Sequence, residues 1–147
     1  MNLFDNPDVL PGIAVHQPHA GLVRLGLKDI ETRMFQCHQR GQVVICATRT
    51  YRADLAHVLR EKIKPARWLP LFDEATVILG RVVAIANLVD CRLLTKADEP
   101  RAFFWSDDDA GKRYAWILQD IRRTVPRPVR CMPGWFPVPR ALVEVQP

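Results

Sequence analysis

Lys28, Glu31 and Arg33 fall within one eight-residue stretch, GLKDIETR, at positions 26–33. A lysine, a carboxylate and an arginine this close supply a cation for an oxyanion or phosphate, a proton acceptor, and a planar binder of anions. If the stretch is extended, residues 29, 31 and 33 share one face and residues 28, 30 and 32 the other, so Glu31 and Arg33 are neighbours able to pair. Lys28 follows a turn at Gly26, where strand alternation does not fix its direction. As an exposed ion pair the group contributes only about 0–1 kcal/mol. Lining a cleft, the same side chains can bind or transform a ligand.

Other residues with chemical potential lie further along. RRTVPRPVR carries Arg122, Arg123, Arg127 and Arg130 and is held open by Pro126 and Pro128, so it reads as a rim for backbone phosphates or as a solvated connection. Residues 95–113 form a polar insert with three adjacent aromatics, Phe103, Phe104 and Trp105. Three in a row cannot all face inward from one strand, so Phe104 and Trp105 are candidates to stack on a base. Trp68, Trp116, Trp135 and Phe136 are further aromatics, with Trp116 and Trp135 read as core or lid. His16 and His19 precede the charged stretch and read as structural or surface groups before catalytic ones. Asp107, Asp108 and Asp109, with Gly111 close behind, read as a solvated loop.

The elements that must position these groups are legible from patterning. GIAVHQ at 12–17 reads as a first strand, and PHAGLVRLG as a short helix from Pro18 to a stop at Gly26. DIETRMF should be extended, and RGQVVICAT at 40–48 is an apolar buried strand. TYRADLAHVLREKIK reads as an amphipathic helix burying Tyr51, Leu55, Val58, Leu59 and Ile63, with Thr50 as its cap. KPARWLPLFDE reads as a proline-rich loop. ATVILGRVVAIANLVDCRLL is too long for one strand and, with Gly80 inside it, suggests a bent or bulged pair. YAWILQDIRRT and ALVEVQ complete the strands. Many short strands, few helices and 12 prolines point to a mostly β fold of α+β class, a small barrel with two or three peripheral helices.

The chain has 147 residues, the size of a single domain, and 48% of them are hydrophobic, enough for a core without metal or disulfide support. Residues 1–10 read as a flexible arm and 11–147 as the domain. The four cysteines (Cys37, Cys46, Cys91 and Cys131) show no CxxC and no zinc-ligand spacing, so no metal and no cofactor is expected. No signal peptide and no apolar run of membrane-spanning length is visible, so the expected setting is cytoplasmic and reducing. The excess of 21 Lys and Arg over 16 Asp and Glu, +5, is compatible with a nucleic-acid partner and equally with mere solubility.

GIAVHQPHAGLVRLGLKDIETRMFQCHQRGQVVICAT resembles the opening of the ASCH domain family, within the PUA-like superfamily. That family typically shows a strand, Gln-Pro-Trp-Ala, a short helix ending in Gly-x-Lys, then Glu-x-Arg, then Arg-Gly before a strand. Gln17-Pro18, Gly26, Lys28, Glu31, Arg33, Arg40-Gly41 and Ala47 match. GRVVAIANLVDC resembles the family's central strand and YAWILQDIRRTVPRPVRCMPGWFPVP its closing strand and proline loop, so the resemblance spans about residues 11–143. The departures are His19 for the usual tryptophan, Phe35 for the aromatic after Glu-x-Arg, and Cys46 for a frequent histidine.

The resemblance implies a PUA-like β-barrel with Lys28, Glu31 and Arg33 lining a cleft at its mouth, and it leaves three functions open. The first is binding of single-stranded RNA or a modified nucleotide. Lys28 and Arg33 would then hold phosphate and Glu31 would accept from a base. Gln17, Arg40, Phe104, Trp105, Arg122, Arg123, Arg127 and Arg130 are the further contact candidates. The second is hydrolysis, with Lys28 and Glu31 catalytic, either as a metal-independent ribonuclease or as an amidohydrolase of a modified nucleoside. Amidohydrolases of this type use a lysine, a threonine and a glutamate; the lysine maps onto Lys28, but the threonine position holds Glu31, and Thr32 should face the other way. The third is a protein-interaction adaptor in transcription, with a protein partner on the aromatic island. No membrane partner is expected.

Overall fold

VVICA at 43–47 is apolar at every position because the strand is covered on both faces. Val43, Ile45 and Ala47 pack into one cluster with Ile13, Val83, Leu88, Trp116 and Leu118, whereas Val44 and Cys46 pack into another with Leu10, Val82, Phe136 and Val138. This is seen in a computed structural model of the chain, which describes residues 3–106 and 112–147. Among these residues six strands are present: β1 (Val9–Gln17), β2 (Ile30–Arg33), β3 (Gly41–Tyr51), β4 (Arg81–Leu93), β5 (Tyr114–Arg123) and β6 (Phe136–Pro139). They form one sheet in the order β2-β5-β4-β3-β1-β6. β1 and β3 run parallel, and every other neighbouring pair is antiparallel.

Among the described residues four α-helices accompany the sheet: α1 (His19–Arg24), α2 (Ala53–Lys62), α3 (Leu69–Thr76) and α4 (Glu99–Ala102). The class is mixed α+β. The expected barrel differs from the pairing observed, because the end strands β2 and β6 are not paired with each other among the described residues. β1 starts at Val9, earlier than the patterning indicated, since Val9 and Leu10 already pair with Pro139 and Val138. Asp107–Asp109 lie outside the described residues.

Three further readings are corrected. KPARWLPLFDE is not a loop: it holds a 3-10 turn at Ala66–Trp68 and α3, whose Pro70 sits in the first turn, where the missing N–H costs nothing. ALVEVQ is not a strand: Arg140–Leu142 is a 3-10 turn and only Val145 bridges to Thr124, while the last strand is β6. Thr50 lies in β3 and does not cap α2, which follows Arg52 with no side-chain cap. Its buried face uses Ala56, Leu59 and Ile63, with Val58 and Tyr51 exposed. Gly80 does mark a break, with φ of +62°, but between α3 and the single long β4. No helix among the described residues is long and apolar enough to cross a membrane.

Two buried polar side chains fix α1 against the sheet. Gln17 Nε2 donates to the carbonyls of Ala75 (3.0 Å) and Ile78 (2.8 Å), and its Oε1 accepts from Gly21 N (2.8 Å). Arg24 donates to the carbonyls of Val83 and Thr124, both at 2.7 Å. The 95–113 insert is tied to the charged stretch by Arg101, which pairs with Asp29 at 2.9 Å, and by Asp29 N donating to Arg101 O.

Candidate nucleotide site

β2 pairs only with β5, placing Glu31 opposite Trp116 and Arg33 opposite Tyr114. The C-terminal ends of the parallel strands β1 and β3 approach the same region, where His16 Nδ1 lies 2.8 Å from Thr48 Oγ1. Between these elements is a chamber of about 290 Å³ walled by Lys28, Glu31, Thr32, Arg33, His19 and Phe104, among others. Ala14, His16 and Arg33 also line a second, larger cavity of about 930 Å³, so the two adjoin. Its other walls are the end of β3, with Thr48 and Arg49, and the loop from Pro128 to Gly134.

The charged stretch is an internal network. Lys28 is 1% exposed; its Nζ donates to Ala102 O at 2.6 Å and lies 3.4 Å from Glu31 Oε1. The other carboxylate oxygen of Glu31 accepts from Arg33 at 3.2 Å, and the same Arg33 nitrogen donates to Ala14 O at 2.7 Å. Burial lowers the Lys28 pKa from its ordinary value, with Glu31 opposing the shift. Burial alone would raise the Glu31 carboxyl, but Lys28, Arg33, His19 and the Thr32 N–H outweigh it and hold it at about 2. Glu31 is thus ionised at neutral pH and can only accept hydrogen bonds.

His19 carries the opposite character. Burial, then Lys28, lowers its pKa to about 3, so the imidazole is neutral, and its Nδ1 is buried with no partner. Arg33 Nε is also buried without one. A buried polar atom left unpaired costs roughly 1–3 kcal/mol, and both atoms belong to residues that line the chamber. Phe104 supplies an aromatic wall covered by the Arg113 guanidinium, 4.6 Å from the ring centroid, and Arg113 Nε donates to Thr32 Oγ1 at 3.3 Å. Behind Arg33, Trp116 and Trp135 stack at 5.4 Å with planes 5° apart, and the Arg33 guanidinium stands 5.7 Å from the Trp116 ring.

The structure therefore brings together Lys28, Glu31, Arg33 and Phe104, with Arg130 in the adjoining cavity. Lys28 does not swing freely, and its buried, occupied ammonium is turned to Glu31 and a carbonyl where a phosphate contact was expected. Gln17 is consumed by α1 and α3. Arg40 bonds the carbonyls of Cys37 and Gln39 and lines neither space. Arg122 pairs with Asp120 and Arg127 with Glu144, outside both cavities, and Arg123 lines neither. Trp105 is exposed, with Lys62 over its ring at 4.9 Å; Phe103 and Phe104 are half-buried, so the island is no flat patch. Patterning missed Thr32, Arg113 and Arg49 as wall residues and read His19, which also lines the chamber, as a structural or surface group. Thr32 was expected on the far face, yet it lines the chamber because β2 is a short edge strand that Arg113 wraps. Among the described residues no cluster of three or more His, Cys, Asp or Glu is placed to hold a metal ion.

No protein-family model matches the chain, and neither does any curated protein. Among solved structures it is similar to the ASCH protein of Zymomonas mobilis, with a TM-score of 0.56 and 14% identity over 89% of this chain and 88% of that one. A serine-to-alanine variant of the same protein gives 0.54 and 13% identity over 88% of each chain. The architecture is a six-stranded α+β sheet, and its fold is ASCH-like.

Proposed function

We propose that the chain is a PUA-like RNA-binding domain that takes one base of a single strand, or a modified nucleotide, into the chamber at Lys28, Glu31 and Arg33. The observation that carries this reading is the chemistry gathered on the chamber's wall: the ionised Glu31 carboxylate held between Lys28 and Arg33, the neutral imidazole of His19, and the Phe104–Arg113 pair. A planar heterocycle with donors and acceptors on its edge answers that wall, and the Phe104–Arg113 pair offers a face for it to lie against. The volume, about 290 Å³, is at the small end of ligand pockets, the scale of a base with its sugar. Lys28 and Arg33 hold Glu31 ionised and in place.

Hydrolysis in the same chamber is the second reading, favoured by the buried lysine beside a carboxylate. A general base works best with a pKa near the working pH, and Glu31 at about 2 is far below it, so binding is the better account. The adaptor reading gains nothing from an aromatic island that is only partly exposed.

The test is fluorescence anisotropy of a short labelled single-stranded RNA in EDTA, with wild type, His19→Ala and Arg33→Lys. Denaturing gels of each sample and thermal melts of each protein accompany it. Salt-sensitive binding that both variants weaken, with intact RNA, supports the reading. RNA shortened by wild type alone moves the assignment to hydrolysis, and absence of wild-type binding ends it.

A further inference from the structure

The larger cavity has a charge pattern of its own. Three arginines line it, Arg33, Arg49 and Arg130, and no carboxylate does. Six arginines elsewhere pair with carboxylates: Arg52 with Asp54, Arg60 with Asp73, Arg92 with Asp98, Arg101 with Asp29, Arg122 with Asp120, and Arg127 with Glu144. Arg49 and Arg130 have no ion-pair partner among the described residues. They come from segments far apart in sequence, the end of β3 and the loop before β6, and the fold sets them on one cavity. The remaining wall is largely apolar, with Val129, Met132 and Pro133.

Guanidinium groups without carboxylates bind phosphate oxygens well, through paired N–H donors and weak hydration. The adjoining apolar wall can receive a flat, uncharged ring. The cavity meets the chamber along Ala14, His16 and Arg33, so a chain leaving the chamber enters the cavity directly. Resting on the chamber reading, we infer that the cavity is the second half of one ligand site. It takes the phosphodiester and adjoining nucleotide of the strand whose base occupies the chamber. Arg49 and Arg130 contact the phosphodiester, and Val129 and Met132 face the second base. The minimal full ligand is a dinucleotide.

The cavity also contains its own reporter. Cys131 is half-buried on the cavity wall, whereas Cys37, Cys46 and Cys91 are buried. A hydrogen bond from the Cys46 thiol, with help from Arg49, lowers the Cys131 pKa from its ordinary value, which favours its alkylation. A ligand in the cavity shields Cys131, and one confined to the chamber does not.

The experiment compares a nucleoside, its monophosphate and a dinucleotide of the same base by calorimetry, against wild type, Arg49→Ala, Arg130→Ala and Arg122→Ala. The rate of Cys131 alkylation by iodoacetamide is followed by mass spectrometry in parallel. The expected result is that the dinucleotide binds at least about tenfold tighter than the nucleoside. Arg49→Ala and Arg130→Ala should each remove most of that gain and lower the salt slope by about one. Both should leave nucleoside affinity unchanged, Arg122→Ala should match wild type, and only the dinucleotide should slow Cys131 alkylation. A monophosphate as tight as the dinucleotide, with Cys131 still open, reduces the site to a lone phosphate and overturns the two-nucleotide ligand. A dinucleotide no tighter than the nucleoside, or insensitive to both arginines, overturns the inference and leaves the chamber reading intact. If nothing binds, the chamber reading fails and takes this one with it.

Discussion

The chamber and the cavity share Arg33 but treat charge in opposite ways. In the chamber Lys28, Glu31 and Arg33 neutralise one another in a buried network whose geometry is fixed by Ala102 O and Ala14 O. In the cavity Arg49 and Arg130 stand exposed, with no carboxylate partner among the described residues. Pre-paired buried charge confers shape and selectivity at a cost in stability, whereas unmatched surface charge confers affinity and salt dependence at almost none. In the proposed site the first half selects a base and the second holds a strand.

The largest effects test the buried half. Glu31→Gln should destabilise the fold by about 3–5 kcal/mol, because it leaves the buried Lys28 ammonium without its carboxylate, and Lys28→Met by less, because Glu31 keeps Arg33. The double variant should lose much less than the sum of the two. Urea denaturation of the four proteins checks this; additive losses would mean that the pair is not coupled. The exposed half should behave in the reverse sense. Arg49→Glu and Arg130→Glu should abolish salt-dependent RNA binding while shifting stability by no more than about 0.5 kcal/mol, the usual range for surface changes. Parallel melts and anisotropy titrations decide it.

Acid should loosen the chamber first. The pKa of His19 falls from 6.5 to about 3 on folding, so the unfolded chain binds more protons between those values and stability declines as pH drops through that window. The Glu31 pKa is lowered from 4.5 to about 2, so its contribution is present above 4.5 and is lost as pH falls toward 2. Thermal melts from pH 7 to 3 should show falling stability, and His19→Phe should flatten the part above pH 4.5. The smallest effect on binding belongs to Trp105→Ala, which removes contacts with Lys62 and with the edge of Phe103, each worth about 0.5–1 kcal/mol, and touches neither space. RNA affinity should stay at the wild-type level in the same titration.

The strands were legible in the sequence where burial is two-sided or alternating: β1, β3 and β5 carry their own patterns, and Gly26 and Gly80 mark turns. α3 was hidden by prolines that a first helical turn accepts, and β6 by prolines that an edge strand accepts. The grouping of Lys28, Glu31 and Arg33 was visible, but not the burial of Lys28, since lysine is almost never fully buried unless paired. The carbonyl of Ala102 that receives it belongs to an insert 74 residues away. Arg49 and Arg130 meet only through tertiary folding, so nothing local in either segment announces the other. His16 and Thr48 follow the same logic, joined because β1 and β3 end side by side.

The stacked indoles of Trp116 and Trp135 give the protein an optical signal of its own. Arg33 rests against Trp116 and borders both the chamber and the cavity, so any ligand that draws its guanidinium toward an anion alters the surroundings of the indole pair. Tryptophan emission should therefore change when a ligand fills the proposed site, so candidate ligands can be tested on unlabelled protein by light alone.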